Sequence, residues 1–155
     1  MLDLANRKTP YLVGEIGINH NGDIRIAKRL LDACFACGWD CAKFQKRSPD
    51  DAVPQNEKNK RRDTPWGEMS YIDYKHKIEF TKSNYDLISS YCLAKPLDWT
   101  MSIWDLPSLE FATQYDLPFL KIPSAMLTND DLLTSACQTG NLIVASTGMS
   151  TLEEV

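Results

Sequence analysis

The sequence has no long hydrophobic run and no excess of positive charge. No apolar stretch approaches the roughly 20 residues that a membrane span needs, and the N-terminus does not show the order of charged and apolar regions of a signal peptide. We therefore expect a cytoplasmic protein. The net charge of −4 gives no electrostatic basis for nucleic-acid binding. The one basic run, residues 58–62, is flanked by acidic residues, so we expect it to be a solvated loop.

The chain also has little of what a metal or disulfide site needs. Its two histidines, His20 and His76, are too few and too far apart for a metal site, and a hydrogen bond in a turn is the better interpretation of His20. The five cysteines are odd in number and lie in or beside predicted helices and strands, which indicates buried, reduced thiols. Cys34 and Cys37 match the C-x-x-C pattern, but no second pair completes a zinc site, so core thiols are favoured over metal or redox chemistry.

What the sequence does contain is one pattern repeated five times: an apolar run, a polar or charged residue at its end, and then a helix. A composition of 43% hydrophobic and 25% charged residues is that of an ordinary globular domain. The predicted strands are residues 11–18, 41–45, 99–104, 117–124 and 142–147. The predicted helices are residues 24–37, 84–95, a segment after Asp105, and 128–140, with a further helix beginning after Gly148.

Helix starts are predicted at residues that can cap the first turn. These are Asp23, Ser83 with Asp86, Asp105, and Thr128 with Asp131. In the first helix the predicted inward positions are Ile26, Leu30, Cys34 and Cys37. The polar connection from residue 46 to 82 is far longer than the usual 2–6 residues of a βα loop. We expect it to be a lid or binding loop that carries a short helix near residues 71–80.

Alternating strands and helices predict an α/β fold with a parallel sheet and right-handed crossovers. Two architectures fit: a complete five-stranded doubly wound sheet, or the first five βα units of a (β/α)₈ TIM barrel. The chain ends shortly into a predicted sixth helix, which favours the barrel. Residues 1–155 would then be the N-terminal portion of a barrel that is truncated after its fifth strand.

The carboxyl ends of parallel strands meet at one edge of a sheet, so the polar residues found there should lie together. They are Glu15, Lys43, Gln45, Ser102, Lys121, Ser124, Ser146 and Thr147. Two lysines, several hydroxyls and nearby helix N-termini favour negative charge. The sequence therefore predicts a site for a phosphate, a carboxylate, or one molecule that carries both.

Structural explanations remain open for each candidate. Either lysine alone could extend its ammonium group to solvent. Glu15 could cap a loop or pair with a lysine. The hydroxyl residues Ser124, Ser146 and Thr147 could be helix caps. Two lysines beside hydroxyls on short central strands favour function over these explanations.

Five motifs in order resemble the N-terminal barrel half of the sialic acid (N-acetylneuraminate or nonulosonate) synthase family. They are the segments 15–22 (EIGINHNG), 43–45 (KFQ), 64–69 (TPWGEM), 121–124 (KIPS) and 146–149 (STGM). The match runs from Tyr11 to Glu154. The resemblance implies a TIM barrel and a synthase that condenses phosphoenolpyruvate with an N-acylated sugar such as N-acetylmannosamine.

The resemblance also implies roles for single residues. Phosphoenolpyruvate would be held by Lys43, Ser102, Lys121, Ser124 and Ser146. Gln45 would reach toward the sugar, and Glu15 would be an acid/base candidate, with the two lysines also counted as catalytic. A divalent metal, manganese or magnesium, and a homodimer are expected of the full-length enzyme.

Three features of the sequence depart from the family pattern. Met126 stands where an acidic residue is usual, two positions after Ser124, so the acceptor sugar is left open. The third strand ends in residues 101–105 (MSIWD), which keep a hydroxyl and an aspartate in a changed sequence. The metal-binding histidines and the small C-terminal antifreeze-like domain of the family would lie beyond Val155, so we expect the 155 residues alone to be inactive.

Two alternative functions remain at this point. One is another phosphoenolpyruvate-dependent, aldolase-like barrel, which the segments 19–22 and 64–69 disfavour. The other is a non-catalytic split or degenerate fragment that binds a partner or ligand through its open sheet edge.

Overall fold

A computed structural model describes residues 6–155 and shows a five-stranded parallel sheet. Its strands, in spatial order, are β1 (Val13–Gly17), β2 (Cys41–Lys46), β5 (Asp98–Ile103), β6 (Leu120–Ile122) and β7 (Ile143–Ala145). All four pairings are parallel. Because the spatial order follows the chain without a reversal, the sheet lacks the switch point of a doubly wound fold and has the order of a partial (β/α)₈ barrel.

Helices follow the strands and cover one face of the sheet. Their bounds are α1 Ile24–Ala36, α2 Pro49–Ala52, α3 Tyr71–Ile78, α4 Lys82–Leu93, α5 Leu106–Ala112 and α6 Asp130–Gln138. Alternation along the strands turns Phe44, Met101 and Ile122 toward these helices, where they join a single apolar core with residues such as Leu31 and Ile88. The opposite face receives the polar alternates, beginning with Lys43 and Ser102.

Two of the four predicted helix caps are confirmed. The Asp23 carboxylate accepts a hydrogen bond from the Arg25 backbone N–H at 2.7 Å, and Asp105 accepts one from the Ser108 N–H at 2.7 Å. The other two predictions were wrong by one or two residues. Helix α4 begins at a capping box of Thr81 and Asn84, and helix α6 is capped by Asn129.

The inward face of α1 differs by one position from the prediction. Ala27 and Leu31 are fully buried, while Cys37 is exposed. Leu30 and Cys34 flank the buried residues and are half-buried. Helix α1 therefore buries a small residue, Ala27, and a pattern that counts only large apolar side chains does not detect alanine.

The long connection after β2 contains a hairpin that the sequence pattern did not predict. Strands β3 (Arg61–Thr64) and β4 (Gly67–Ser70) pair antiparallel, and helix α3 follows directly. The expectation that residues 58–62 form a solvated loop was therefore wrong for Arg61 and Arg62, which lie on β3. Both remain exposed and pair with Glu68 and Glu57. Their solvated character was predicted correctly, but their conformation was not.

The end of the chain forms one turn rather than the beginning of a helix. The Glu154 N–H donates to the Thr151 carbonyl at 3.2 Å, and the Glu154 carboxylate accepts from the Thr151 N–H at 2.7 Å. The helix predicted after Gly148 is thus limited to this turn. Within residues 6–155, none of the helices combines the length and apolarity that crossing a bilayer requires.

The turn at residues 19–22 docks against the last turn of α3. Gly22 has φ +70°, and a Cβ atom there would overlap the Lys77 carbonyl oxygen. We expect Gly22→Ala to lower the free energy of unfolding by about 2–4 kcal/mol, the sum of backbone strain and overpacking. Gly38→Ala is the matched control, since Gly38 has φ +72° with open space around it and should lose only about 1–2 kcal/mol. Equal losses in denaturant titrations would contradict the docking argument.

Candidate functional site

Seven of the eight predicted polar residues form a continuous polar strip along the carboxyl ends of the five strands, which we call the rim. The rim consists of Glu15, Lys43, Gln45, Ser102, Lys121, Ser124 and Ser146. The pairing register places Glu15 opposite Lys43, Gln45 opposite Ser102, and Ser102 opposite Lys121. Residues opposite one another on parallel strands point to the same side, so the rim is a consequence of register. The eighth residue, Thr147, is exposed beside the rim.

Lys43 lies in the middle of the rim and is only 8% exposed. Its ammonium group contacts the Glu15 carboxylate and donates a hydrogen bond to Ser102 Oγ at 3.2 Å. The Glu15 side chain itself is half exposed. The buried positive charge is thus held in place by a carboxylate on one neighbouring strand and a hydroxyl on the other.

Lys121 is on β6, two strands along from Lys43, and it also contacts a hydroxyl on the next strand. Its ammonium group donates to Ser146 Oγ and to the Ile122 carbonyl oxygen, the latter at 2.7 Å. Among residues 6–155 it forms no ion pair. Burial lowers the pKa of Lys121, the charge of Lys43 lowers it further, and Glu15 acts weakly in the opposite direction. Two ammonium groups beside two serine hydroxyls have the donors that an anionic ligand requires.

Ser124 and Gly148 close one end of the rim. Ser124 opens a short 3-10 turn, Ser124–Met126, directly after β6. A Cβ atom at Gly148 would lie 3.0 Å from Ser124 Oγ, so the backbone after β7 approaches this hydroxyl closely. Absence of a side chain at Gly148 leaves the hydroxyl accessible to a ligand between the two strand ends.

Two buried basic residues near the rim were missed by the sequence reasoning. Arg47 is 5% exposed and Lys75 is 6% exposed. Arg47 continues the period of two that begins with Lys43 and Gln45, and that alternation could have found it. No comparable signal marks Lys75, which lies on a helix after a hairpin that was itself not predicted.

The loop that carries Arg47 is tied to the end of β5. Asp105 is 7% exposed and accepts a hydrogen bond from the Ser48 N–H at 2.6 Å while it caps α5. Lys46 pairs with Glu79 at 2.9 Å, and Glu79 also accepts from the Arg47 N–H at 3.2 Å. These contacts hold the segment after β2 against both β5 and the end of α3.

The predicted turn role of His20 is confirmed. His20 is 2% exposed, its Nδ1 accepts from the Gly22 N–H at 3.0 Å, and its ring stacks on Phe80 with centroids 3.8 Å apart. Burial lowers its pKa to about 4, so the ring is neutral at physiological pH. Within the described part of the chain, no three His, Cys, Asp or Glu side chains are grouped so that they could hold a metal ion.

The cysteine prediction is confirmed only in part. All five thiols are free, and Cys41 and Cys92 are buried. Burial raises the pKa of both thiols to about 12, which keeps them protonated and unreactive. Cys37 and Cys137 are exposed, so the expectation of buried thiols was wrong for these two.

The sheet order defines the class as the N-terminal strands of a (β/α)₈ barrel, with a rim of polar and basic side chains at their carboxyl ends. Residues 30–155 match the model of the NeuB family, and the chain belongs to that family. It is 33% identical over 147 residues to the N-acetylneuraminate-9-phosphate synthase of Drosophila melanogaster. It is 29% identical over 150 residues to the N,N'-diacetyllegionaminic acid synthase of Legionella pneumophila.

These matches cover nearly all of this chain but a smaller part of the relatives. The chain spans 39% of the Drosophila protein and 42% of the Legionella protein. The crystal structure of the N-acetylneuraminic acid synthetase of Leptospira borgpetersenii matches 99% of this chain and 51% of that one, with a TM-score of 0.84 and 23% identity. That of spore coat polysaccharide biosynthesis protein SpsE from Bacillus subtilis matches 99% of this chain with a TM-score of 0.74 and 22% identity. Both solved structures share the fold.

Proposed function

We propose that the protein carrying this chain is a nonulosonate synthase that condenses phosphoenolpyruvate with an N-acylated hexose such as N-acetylmannosamine. The observation that carries the proposal is the pair of lysine–serine contacts, Lys43 with Ser102 and Lys121 with Ser146, on one face of the sheet. Phosphoenolpyruvate carries a phosphate and a carboxylate on three carbons, so it matches two cationic positions on the same face of the sheet, on either side of β5. The names of the relatives in the NeuB family support the same reaction class.

In the proposed reaction each rim residue has one role. Lys43 and Lys121 hold the two anionic groups of phosphoenolpyruvate, with hydroxyl hydrogen bonds from Ser102, Ser124 and Ser146. The enol carbon attacks the open-chain aldehyde of the sugar, water adds to the resulting cation, and phosphate leaves with cleavage of its C–O bond. Gln45 contacts the sugar. Glu15 exchanges a proton with the reacting oxygen atoms.

The divalent metal implied by the family resemblance stays a prediction, because the described residues contain no donor set that fits it. No step above is therefore assigned to a metal. The homodimer and the cytoplasmic location also stay predictions. Membership of the NeuB family argues against the alternative of a different phosphoenolpyruvate-dependent, aldolase-like barrel.

Phosphate release tests the proposal directly. The purified gene product that carries this sequence should release inorganic phosphate from phosphoenolpyruvate only when an N-acylated amino sugar and a divalent metal are both present. The product should be a nonulosonic acid detectable by mass spectrometry. The 155 residues alone should release none, because a five-stranded sheet cannot close into a barrel. Absence of turnover by the gene product with a panel of N-acylated hexoses and their phosphates would contradict the proposed function.

A further inference from the structure

The parallel pairing of β2 with β5 stops at a defined residue. The last pair of the ladder is Lys46 with Ile103. The next two backbone N–H groups along the chain, those of Arg47 and Ser48, come after this last pair, and Arg47 is only 5% exposed. A buried N–H group needs an acceptor, because leaving it unpaired away from water costs free energy. The end of β2 therefore needs partners other than a neighbouring strand.

Two carboxylates from different parts of the chain accept these N–H groups. Glu79, directly after α3, accepts from the Arg47 N–H at 3.2 Å. Asp105, at the start of α5, accepts from the Ser48 N–H at 2.6 Å. Hydrogen bonds to a charged carboxylate are stronger than those to a neutral oxygen. The backbone after β2 is thus held at two consecutive residues by side chains from two other elements.

Glu79 has a second partner, the Lys46 ammonium group. The two groups are 2.9 Å apart, and each side chain is only 13% exposed. Lys46 also donates to the Arg47 carbonyl oxygen at 3.0 Å and lies 5.2 Å from the Phe111 ring centroid. Burial raises the pKa of Glu79, and the charge of Lys46 and the hydrogen bonds from Lys46 and the Arg47 N–H act in the opposite direction. The desolvated carboxylate is therefore stabilised by the same segment that it holds.

These contacts close the base of the long excursion between β2 and α4. We call the contacts of Lys46, Arg47 and Ser48 with Glu79 and Asp105 the base clamp. Residues 47 and 79 are the two ends of a segment that contains the hairpin and α3, and the hydrogen bond between them joins those ends. Local opening of the exposed hairpin can then occur without opening the end of β2. The base clamp therefore separates the strand from the excursion.

Gln45, a rim residue, comes directly before the base clamp. It stands opposite Ser102, and its carbonyl oxygen accepts from the Tyr85 hydroxyl at 2.8 Å. Side chains alternate along a strand, so Gln45 points to the rim when Lys46 points to Glu79 and the helices. A rotation of the backbone at residue 46 would turn both side chains. The base clamp thus fixes the direction of the Gln45 side chain.

We propose that Glu79 is a positioning residue, which orients Gln45 toward the sugar by holding the Arg47 N–H. This proposal rests on the proposed function, in which Gln45 contacts the sugar, and it adds a residue that touches no substrate itself. Lys43 lies within the ladder, opposite Thr100, where the pairing with β5 holds it without the base clamp. Loss of the Glu79 acceptor should therefore affect the sugar far more than phosphoenolpyruvate.

A matched pair of double variants separates the hydrogen bond from the ion pair. Lys46→Met/Glu79→Gln and Lys46→Met/Glu79→Leu both remove the two buried charges, so neither leaves one of them unpaired. They differ in the acceptor, because glutamine keeps an oxygen for the Arg47 N–H and leucine has none. In the purified gene product, we expect KM for the N-acylated sugar to be about 10-fold higher in the double variant with Glu79→Leu, the effect of one lost buried hydrogen bond. KM for phosphoenolpyruvate should differ less than about threefold between the two.

Hydrogen exchange gives a second readout, which does not depend on turnover. The peptide of residues 44–50 should exchange about 10-fold faster in Lys46→Met/Glu79→Leu than in Lys46→Met/Glu79→Gln, because the Arg47 N–H has lost its acceptor. A peptide from α1 (Ile24–Ala36) is the internal control and should exchange equally in both proteins. Faster exchange in α1 as well would show general destabilisation and would overturn the positioning role.

The kinetic outcomes distinguish the positioning role from the proposed function. Wild-type turnover with equal KM for the sugar in the two double variants would overturn the role of Glu79 and leave the proposed function intact. An equal rise in KM for both substrates would overturn it too, since that is the effect of lost structure. Without wild-type turnover the proposed function fails, and equal exchange of residues 44–50 in the two variants would then overturn the base clamp.

A third variant covers the case in which Lys46→Met/Glu79→Leu does not fold. Glu79→Asp keeps the charge, but its carboxylate is one methylene shorter and cannot hold both Lys46 and the Arg47 N–H in the same geometry. It should raise KM for the sugar several-fold, by about the worth of one hydrogen bond, with KM for phosphoenolpyruvate changed less than about threefold. A wild-type KM for the sugar in Glu79→Asp would overturn the proposal.

Discussion

Replacing Lys121 by methionine is expected to lower kcat/KM for phosphoenolpyruvate by about 10²- to 10³-fold, the usual effect of removing one charge-stabilising donor from an active site. Lys121 donates to Ser146 and to the Ile122 carbonyl and has no carboxylate partner in residues 6–155. Its charge is therefore available to a ligand. Methionine keeps the length and apolar volume of the side chain, so the loss should appear in the kinetics rather than in the melting temperature.

Two further variants test whether the loss of kcat/KM in Lys121→Met comes from a lost anion site. Lys82→Met removes an exposed lysine of α4 that pairs with Asp86 and does not belong to the rim, and it should leave kcat/KM unchanged. Ser146→Ala should have a smaller effect than Lys121→Met, and the double variant should lose less than the sum, because the two side chains act through one hydrogen bond. Additive losses, or wild-type kinetics in Lys121→Met, would contradict an anion site shared by these residues.

Lys43 and Lys121 differ in their partners, and the difference supports the loss of activity expected for Lys121→Met. Lys43 has a carboxylate in contact, whereas Lys121 has only hydroxyl and carbonyl oxygens. Burial and, after it, the charge of Lys43 lower the pKa of Lys121. A ligand with two anionic groups removes that repulsion. The rim is therefore expected to favour a ligand with two anionic groups, such as phosphoenolpyruvate.

The sheet and the rim were predictable because both depend on short-range periodicity. An apolar run ending in a polar residue marks a buried parallel strand, and strand ends of this kind must converge at one edge. Lys43, Ser102 and Lys121 follow from that rule alone. The choice between a doubly wound sheet and a barrel depends on which strands are neighbours, and the periodicity of the sequence does not determine that order.

The burial of Arg47 and Lys75 near the rim could not be predicted from the sequence, and the reasons are physical. Lys75 is buried because a hairpin of exposed, charged strands folds back and carries α3 toward the rim. The hairpin residues 61–64 (RRDT) have little apolar alternation, so their pairing is set by the turn at Pro65–Trp66, between the paired residues Thr64 and Gly67, rather than by burial. Arg47 had a usable signal in its spacing from Gln45. Its burial, however, depends on Trp104, which comes from a distant part of the chain.

Glu15→Gln is expected to lower kcat about 10²- to 10⁴-fold without raising KM for phosphoenolpyruvate, which is the effect of removing a general acid or base. Glu15 is on β1 at the edge of the rim, where its carboxylate contacts the Lys43 ammonium group. Its half-exposed side chain can reach the solvent that must exchange protons with the reacting oxygen atoms. Glutamine keeps the shape and a hydrogen-bonding oxygen but cannot transfer the proton.

The direction of the KM change distinguishes this role from a purely structural one. If Glu15 only positions Lys43, its removal disorders the ammonium group, and KM for phosphoenolpyruvate rises while kcat changes little. If it transfers a proton, kcat falls, and the phosphoenolpyruvate site, now more positive by one charge, binds this anionic substrate as well or better. Glu68→Gln is the control, because it removes an exposed carboxylate that pairs with Arg61 on the hairpin. A raised KM with preserved kcat in Glu15→Gln would reassign Glu15 as the positioning partner of Lys43.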